Sequence, residues 1–169
     1  MTKKFLGTVL LPGNYDPVTK GHMSSLRYLS ERSDKVIAVI MTLEADEHKR
    51  WIPSSDMKQL IEEAVKTEGL DNVEVYIEKE GWIADTIEKF HANGVARSFH
   101  PNISIENELE LIKAVVDLDV PLHLIPSKLD IRASNIKFFA EENMLNEFSD
   151  QLPENVYKYI LKHKCLNLD

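Results

Sequence analysis

Apolar residues along this chain fall into two kinds of run, and the two kinds alternate. Residues 5–11 and 36–41 are nearly continuous apolar stretches, the first broken only by Gly7 and Thr8. Neither shows the polar alternation of a strand with one wet face, so both predict strands buried on two sides, as in a parallel sheet. Between them, residues 21–33 have helical character. Residues 54–67 place Met57, Leu60, Ile61, Ala64 and Val65 at i, i+3, i+4, i+7 and i+8. That spacing predicts one apolar helical stripe, with Ser54, Ser55 or Asp56 expected to cap its start. The alternation continues with a strand over 73–77, a helix over 83–92 stopped by Asn93-Gly94, and a strand over 94–99. A helical stripe of Ile105, Leu109, Ile112 and Val116 follows, then a strand over 121–125 and helices near 134–146 and 153–163.

Strands separated by helices of 10–15 residues call for a single doubly wound, five-stranded parallel α/β sheet, Rossmann-like, with helices on both faces; residues 1–169 read as one domain. In such sheets ligands bind beyond the C-terminal ends of the strands, near the switch in strand order. Chemistry is therefore expected just after Leu11, Met41, Ile77, Phe99 and Ile125.

Charge narrows the classes. Twenty Lys and Arg against 28 Asp and Glu give a formal charge of -8, the wrong sign for a general nucleic-acid or anionic-membrane binder. A single cysteine, Cys165, forms no internal disulfide and fits a reducing, cytoplasmic setting. The apolar start is too short and too soon broken by Pro12-Gly13 to be a signal peptide, and no stretch reaches the roughly 20 apolar residues of a membrane helix. No P-loop and no G-x-G-x-x-G occurs, which disfavours P-loop kinases and dinucleotide oxidoreductases. His91, His123 and His163 have no metal-ligand spacing.

The first strand-to-helix turn carries the strongest signal: Pro12-Gly13-Asn14-Tyr15-Asp16-Pro17-Val18-Thr19-Lys20-Gly21-His22. Gly13 permits a sharp turn and close ligand approach, Asp16-Pro17 fixes a bend, and Gly21-His22 open a helix whose free N–H groups favour phosphate. A His there can donate to a phosphate oxygen. The run resembles the Gly-Thr/Ser-Phe-Asp-Pro-x-Thr-x-Gly-His signature of HIGH-type nucleotidyltransferases, with the spacing of the phosphopantetheine adenylyltransferases in particular. The resemblance extends along the chain. It takes in Asn72-Val73-Glu74-Val75, Arg97-Ser98-Phe99-His100, Glu106-Asn107-Glu108-Leu109, Ile131-Arg132-Ala133-Ser134-Asn135-Ile136-Lys137 and Leu152-Pro153.

What the resemblance implies is transfer of AMP from ATP to 4'-phosphopantetheine, giving dephospho-CoA and pyrophosphate, with Mg²⁺ accompanying the triphosphate. By motif position, His22, Lys49 and Arg97 would be catalytic, with His22 stabilising the transition state. Asn14, Tyr15, His22 and Glu108 would meet ATP, as would Ser98, Phe99 and His100 after the fourth strand and Arg132, Ala133 and Ser134 in the later box. Asn14, Lys49, Ile83 and Arg97 would hold the acceptor. The family also implies a homo-oligomer, a hexamer built through the sheet-covering helices.

Departures from the family pattern keep other readings open. His100 stands for an Arg, Ser98 for a Gly, Asn14 for a Thr/Ser, and Arg132-Ala133 for part of a Ser-rich box. The phosphate-neutralising Lys after the second strand aligns with His48 by count and with Lys49 by chemistry, Arg50 lying next in line; Lys49 is the expected residue. A non-catalytic nucleotide- or CoA-binding protein, or a transferase for another phosphorylated acceptor, remains the alternative. Trp51 and Trp82 are expected in core or rim packing.

Overall fold

A computed structural model describes residues 6–99, 108–126 and 133–164. Five strands, β1 (Leu6–Gly13), β2 (Ser33–Met41), β3 (Val73–Glu78), β4 (Gly94–Phe99) and β5 (Leu122–Pro126), form one sheet in the order β3-β2-β1-β4-β5. Every pairing is parallel, with Leu10 opposite Ile37 on one side and opposite Val95 on the other. The strands are connected by α1 (Lys20–Ser30), α2 (Ser54–Thr67), α3 (Ile83–Phe90) and α4 (Leu109–Asp117), and α5 (Ala133–Glu141) and α6 (Glu154–Lys164) complete the helices; short 3-10 helices occupy Glu44–Lys49 and Leu145–Gln151.

The period of two along each strand divides the core into two layers. Val9, Leu11, Val36, Ala38 and Ile40 face α1, α2, α5 and α6 through Leu26, Met57, Ile61, Ile136 and Val156. Leu10, Ile37, Val39 and Val95 face α3 and α4 through Ile83, Ile87 and Val115. The continuous apolar runs are thus the direct consequence of a sheet covered on both sides.

Several boundaries differ from the sequence reading for local reasons. α1 ends three residues early because Ser33, wholly buried, already pairs with Leu6 in the sheet. α3 stops at Phe90, where His91 takes a left-handed conformation (φ 48°); Asn93, directly before β4, instead continues the pairing of that strand with β1, exchanging bonds with Thr8 through backbone and side chain. The single helix expected over 134–146 is two elements, since Asn143 turns left-handed (φ 58°) after α5. α2 begins directly after Pro53 without a Ser or Asp cap; the Glu47 carboxylate accepts the Ser54 N–H at 2.6 Å instead. On α4 the expected stripe is not the buried one. Val115 is buried with Leu111, Ala114 and Leu118 against the core, whereas Leu109 and Val116 are 55% and 70% exposed; Ile105 lies outside the described residues. This helix is apolar on two sides, so its pattern alone does not choose the face that packs.

Candidate active site

The sheet order reverses between β1 and β4: β1 leads into α1 on one face and β4 leads toward α4 on the other. A crevice opens beyond the carboxyl ends of such a neighbouring pair. Among the described residues, two pockets lie here. The larger, about 710 Å³, is lined by Gly13 and Asn14 after β1, Arg97 at the end of β4, Glu108 and the inner side of α4, and Trp82 and Ile83 at the start of α3. The smaller, about 490 Å³, is lined by Asn14, Asp16, Lys49, Arg50, Ala133, Ser134 and Lys137. Asn14, Met41 and Gly81 border both.

The turn that carries Asn14 is held from three directions. Tyr15 sits at φ 46° and is 1% exposed, its hydroxyl donating to the Leu11 carbonyl at 2.7 Å. Burial pushes this phenol far above its usual range, against the opposing pull of the nearby Arg97 charge. A Cβ at Gly13 would stand 3.2 Å from the Tyr15 ring, a tight contact that the ring would have to relieve by a few tenths of an ångström. Arg50 donates to the Asn14 carbonyl at 2.9 Å, the Tyr15 carbonyl at 3.3 Å and the Ile52 carbonyl at 3.1 Å. Asp16, 7% exposed, accepts the Trp51 N–H at 3.0 Å, the Ile52 N–H at 2.9 Å and the Lys137 ammonium at 2.6 Å.

His22 is the third residue of α1. Its Nδ1 accepts the backbone N–H of Thr19 at 3.0 Å, while the Thr19 hydroxyl takes the His22 N–H, a reciprocal cap. With Nδ1 serving as an acceptor, the neutral ring carries its hydrogen on Nε2. The ring lies 4.9 Å from that of Tyr15. Arg97 is held by Glu108 through two bonds, Nε to Oε2 at 2.8 Å and Nη2 to Oε1 at 3.0 Å, and donates from Nη1 to the Pro12 carbonyl at 2.7 Å.

The expected site residues therefore divide. Asn14, Ile83, Arg97 and Glu108 meet in the larger pocket, and Asn14, Lys49, Ala133 and Ser134 in the smaller. His22 lines neither of these two pockets. The Tyr15 side chain belongs to the core, which leaves its backbone as the part that borders the crevice. The Ser98 hydroxyl is 2.8 Å from that of Ser25 on α1, which ties β4 to that helix. Phe99 ends β4 with 42% exposure and lines neither pocket. His100 and Arg132 lie outside the described residues. Of the three candidates after β2, Lys49 reaches the smaller pocket's rim, paired with Asp46 at 2.6 Å. Arg50 is the buried one, its side chain 7% exposed.

The sequence gives no ligand role to Asp16 or Lys137 and leaves Arg50 as an alternative to Lys49. Asp16 and Lys137 are 121 positions apart and show no shared pattern. Arg50 differs from its neighbours only in what it packs against. Trp82, expected in packing, is 66% exposed and lines the larger pocket, while Trp51 packs against the core. The pockets also differ in charge. The larger has Arg97 and Lys113 against Glu108, Glu110 and Asp117; the smaller has Lys49, Arg50 and Lys137 against Asp16 and Asp46.

A nucleotidyltransferase site at this switch point agrees with the family comparison, in which the cytidylyltransferase-like model matches residues 10–149. The chain belongs to the cytidylyltransferase-like family. Within that family it is a divergent relative of phosphopantetheine adenylyltransferases. It is 28% identical over 159 residues to that of Desulfitobacterium hafniense, covering 90% of this chain and 93% of the relative. It is 29% identical to that of Actinobacillus succinogenes, covering 71% and 73%. It is also 28% identical to that of Thermobifida fusca over 61% of this chain, a match that spans 60% of the relative's length. Among solved structures, the fold is shared with a bifunctional NMN adenylyltransferase/ADP ribose pyrophosphatase from Francisella tularensis. The TM-score is 0.67 at 19% identity, covering 94% of this chain and 49% of that one. A second structure of the Francisella enzyme, with a TM-score of 0.60 and 17% identity, contains AMP and a manganese ion and covers 96% and 54%.

Proposed function

We propose that this family member is an adenylyltransferase that joins the AMP part of ATP to 4'-phosphopantetheine, releasing pyrophosphate. The observation that carries this reading is the position of Asn14, which borders both pockets, with Arg97 on one side and Ser134 on the other. A reaction between two phosphate-bearing substrates needs one place where their phosphates meet, and such a reaction is accelerated by holding the attacking oxygen in line with phosphorus.

In this reading the larger pocket takes the acceptor. Its apolar wall of Trp82, Ile83, Leu111, Ala114 and Leu118 suits an extended, mostly uncharged arm, and Arg97 takes the phosphate at its end. The smaller pocket takes the polyphosphate of ATP. Lys49 and Lys137 supply charge there, and Ser134, on the first turn of α5, offers its hydroxyl at the positive end of the helix. The acceptor's phosphate oxygen forms a bond to the α-phosphorus as the bond from that phosphorus to the β-bridging oxygen breaks. Pyrophosphate leaves with the electron pair. By its place in the motif, and not by lining either pocket, His22 is assigned as the donor to phosphate oxygens as charge moves toward the leaving group, and the Asn14 amide holds both reactants at the junction.

A divalent ion of the Mg²⁺ type neutralises triphosphate charge when bound. Among the described residues there is no group of three or more His, Cys, Asp and Glu able to hold such an ion. No helix of the described residues is long and apolar enough to cross a membrane.

The bidentate bond between Arg97 and Glu108 favours one second reading, a protein that binds nucleotide or CoA without turnover, because the Arg97 guanidinium that would take the acceptor's phosphate is already occupied. Pyrophosphate release separates the two. ATP, Mg²⁺ and 4'-phosphopantetheine are expected to give turnover, with nicotinamide mononucleotide and glycerol 3-phosphate as competing acceptors. Release only with another acceptor replaces the substrate, and binding without release with any of them supports the binder.

A further inference from the structure

Inside the larger pocket, Glu108 uses both carboxylate oxygens on the two nitrogens that form one face of the Arg97 guanidinium. That face is the one a guanidinium offers to an oxyanion, so the carboxylate stands where two phosphate oxygens of a ligand would stand. The pair is partly withdrawn from water, with side-chain exposures of 33% for Arg97 and 15% for Glu108.

Two features mark Glu108 as the replaceable member. Arg97 does not depend on it for position: the guanidinium is also anchored to the Pro12 carbonyl at 2.7 Å, and its backbone is paired within the sheet opposite Leu124. Glu108 itself occupies the N-cap position of α4 and makes no side-chain cap bond there. Released from Arg97, its carboxylate has the positive end of that helix beside it, where a negative charge is favoured.

We propose that Glu108 is a specificity-determining residue, an internal competitor for Arg97 that admits acceptors bearing a phosphate dianion and turns away carboxylates and neutral head groups. The inference rests on the larger pocket being the acceptor site. A monocarboxylate exchanged for Glu108 gains nothing in charge, whereas a phosphate ester near neutral pH brings close to two charges and a third oxygen. Glu110 and Asp117 on the same walls raise the threshold for any weaker anion.

Calorimetry on the full chain tests this with inorganic phosphate and acetate as probes. Wild type, Glu108→Gln, Arg97→Gln and the double variant are compared. Phosphate is expected to bind Glu108→Gln about tenfold more tightly than wild type, with the gain lost when Arg97 is also replaced. Acetate is expected to gain proportionally more, so that selectivity for phosphate narrows. Glu108→Asp, too short to span both nitrogens, should shift in the same direction and serves if the Gln variant does not fold. Unchanged or weaker phosphate binding in these variants, or a gain that persists without Arg97, overturns the proposal. Because neither probe is an adenylyl acceptor, absence of turnover with 4'-phosphopantetheine would remove the proposed reaction and leave this result standing.

Discussion

Asp16 and Lys137, 121 residues apart in sequence, are joined at 2.6 Å. The contact links the turn after β1 to α5, and through the Trp51 and Ile52 N–H groups it also links both to the segment leading into α2. One carboxylate thereby fixes three walls of the smaller pocket relative to one another. Asp16→Asn keeps the size but weakens every one of these bonds and turns an N–H₂ group toward N–H donors. A loss of about 2–3 kcal/mol in urea unfolding is expected. Lys137→Met removes only the half-exposed partner and should cost about 1 kcal/mol or less. Equal losses for the two would mean that the lysine, not the buried carboxylate, is the brace.

The cap of α2 comes from outside the helix. Burial raises the Glu47 pKa, but the bonds from Ser54 and the charges of Arg50 and Lys79 outweigh it, and the net shift is downward. A depressed folded-state pKa contributes stability above the unfolded value of 4.5 that is lost as the pH falls through the folded value. Glu47→Ala is expected to lose about 1 kcal/mol near neutral pH. Unfolding midpoints measured from pH 7 down to below 4 should show the wild-type advantage shrinking toward zero.

At high pH the sign reverses. Tyr159 is pushed up to about 12 by burial, and then by its hydrogen bond to Asp56 and the charge of that group. A phenol whose folded pKa exceeds its unfolded value of 10.0 contributes stability that is complete below pH 10 and lost as pH rises through about 12. Tyr159→Phe should therefore flatten part of the stability decline between pH 10 and 12. A decline of the same slope in both proteins would rule out this group as a contributor.

Val116, Leu109 and Leu124 present apolar surface at 70%, 55% and 60% exposure on α4 and β5. Self-association through this face is expected, with light scattering giving a mass that is a multiple of 19.4 kDa. Val116→Glu should shift that mass toward a single chain without lowering the unfolding midpoint. A wild-type mass of one chain would contradict it.

The frame of the protein is legible in its sequence because burial on both faces leaves strands without polar alternation. The run 94–99 reads as a strand from its flanking Gly and apolar pair, and the structure agrees at both ends. The turn from Gly13 to His22 is legible because backbone and capping demands restrict nearly every position. What escapes sequence reading depends on side chains that meet only after folding. Asp16 finds Lys137, 121 positions along the chain, and Glu47 caps a helix seven residues away through a 3-10 turn that carries no cap motif. Glu108 takes Arg97, a contact between two residues that each read well alone as ligand contacts. Tyr15 reads as a ligand contact from its place in the motif; only packing reveals that its ring is core.

The central claim is that two substrates meet over Asn14, one in each pocket. A crystal structure with dephospho-CoA and pyrophosphate, which together hold every part of the two substrates, tests it most directly. The account predicts the pantetheine arm along Trp82 and α4, the bridging phosphates within hydrogen-bond reach of Asn14, Arg97 and the Nε2 of His22, and Glu108 withdrawn from Arg97. A ligand lying outside this crevice, or confined to one pocket with Asn14 untouched and the bond between Arg97 and Glu108 intact, would contradict it.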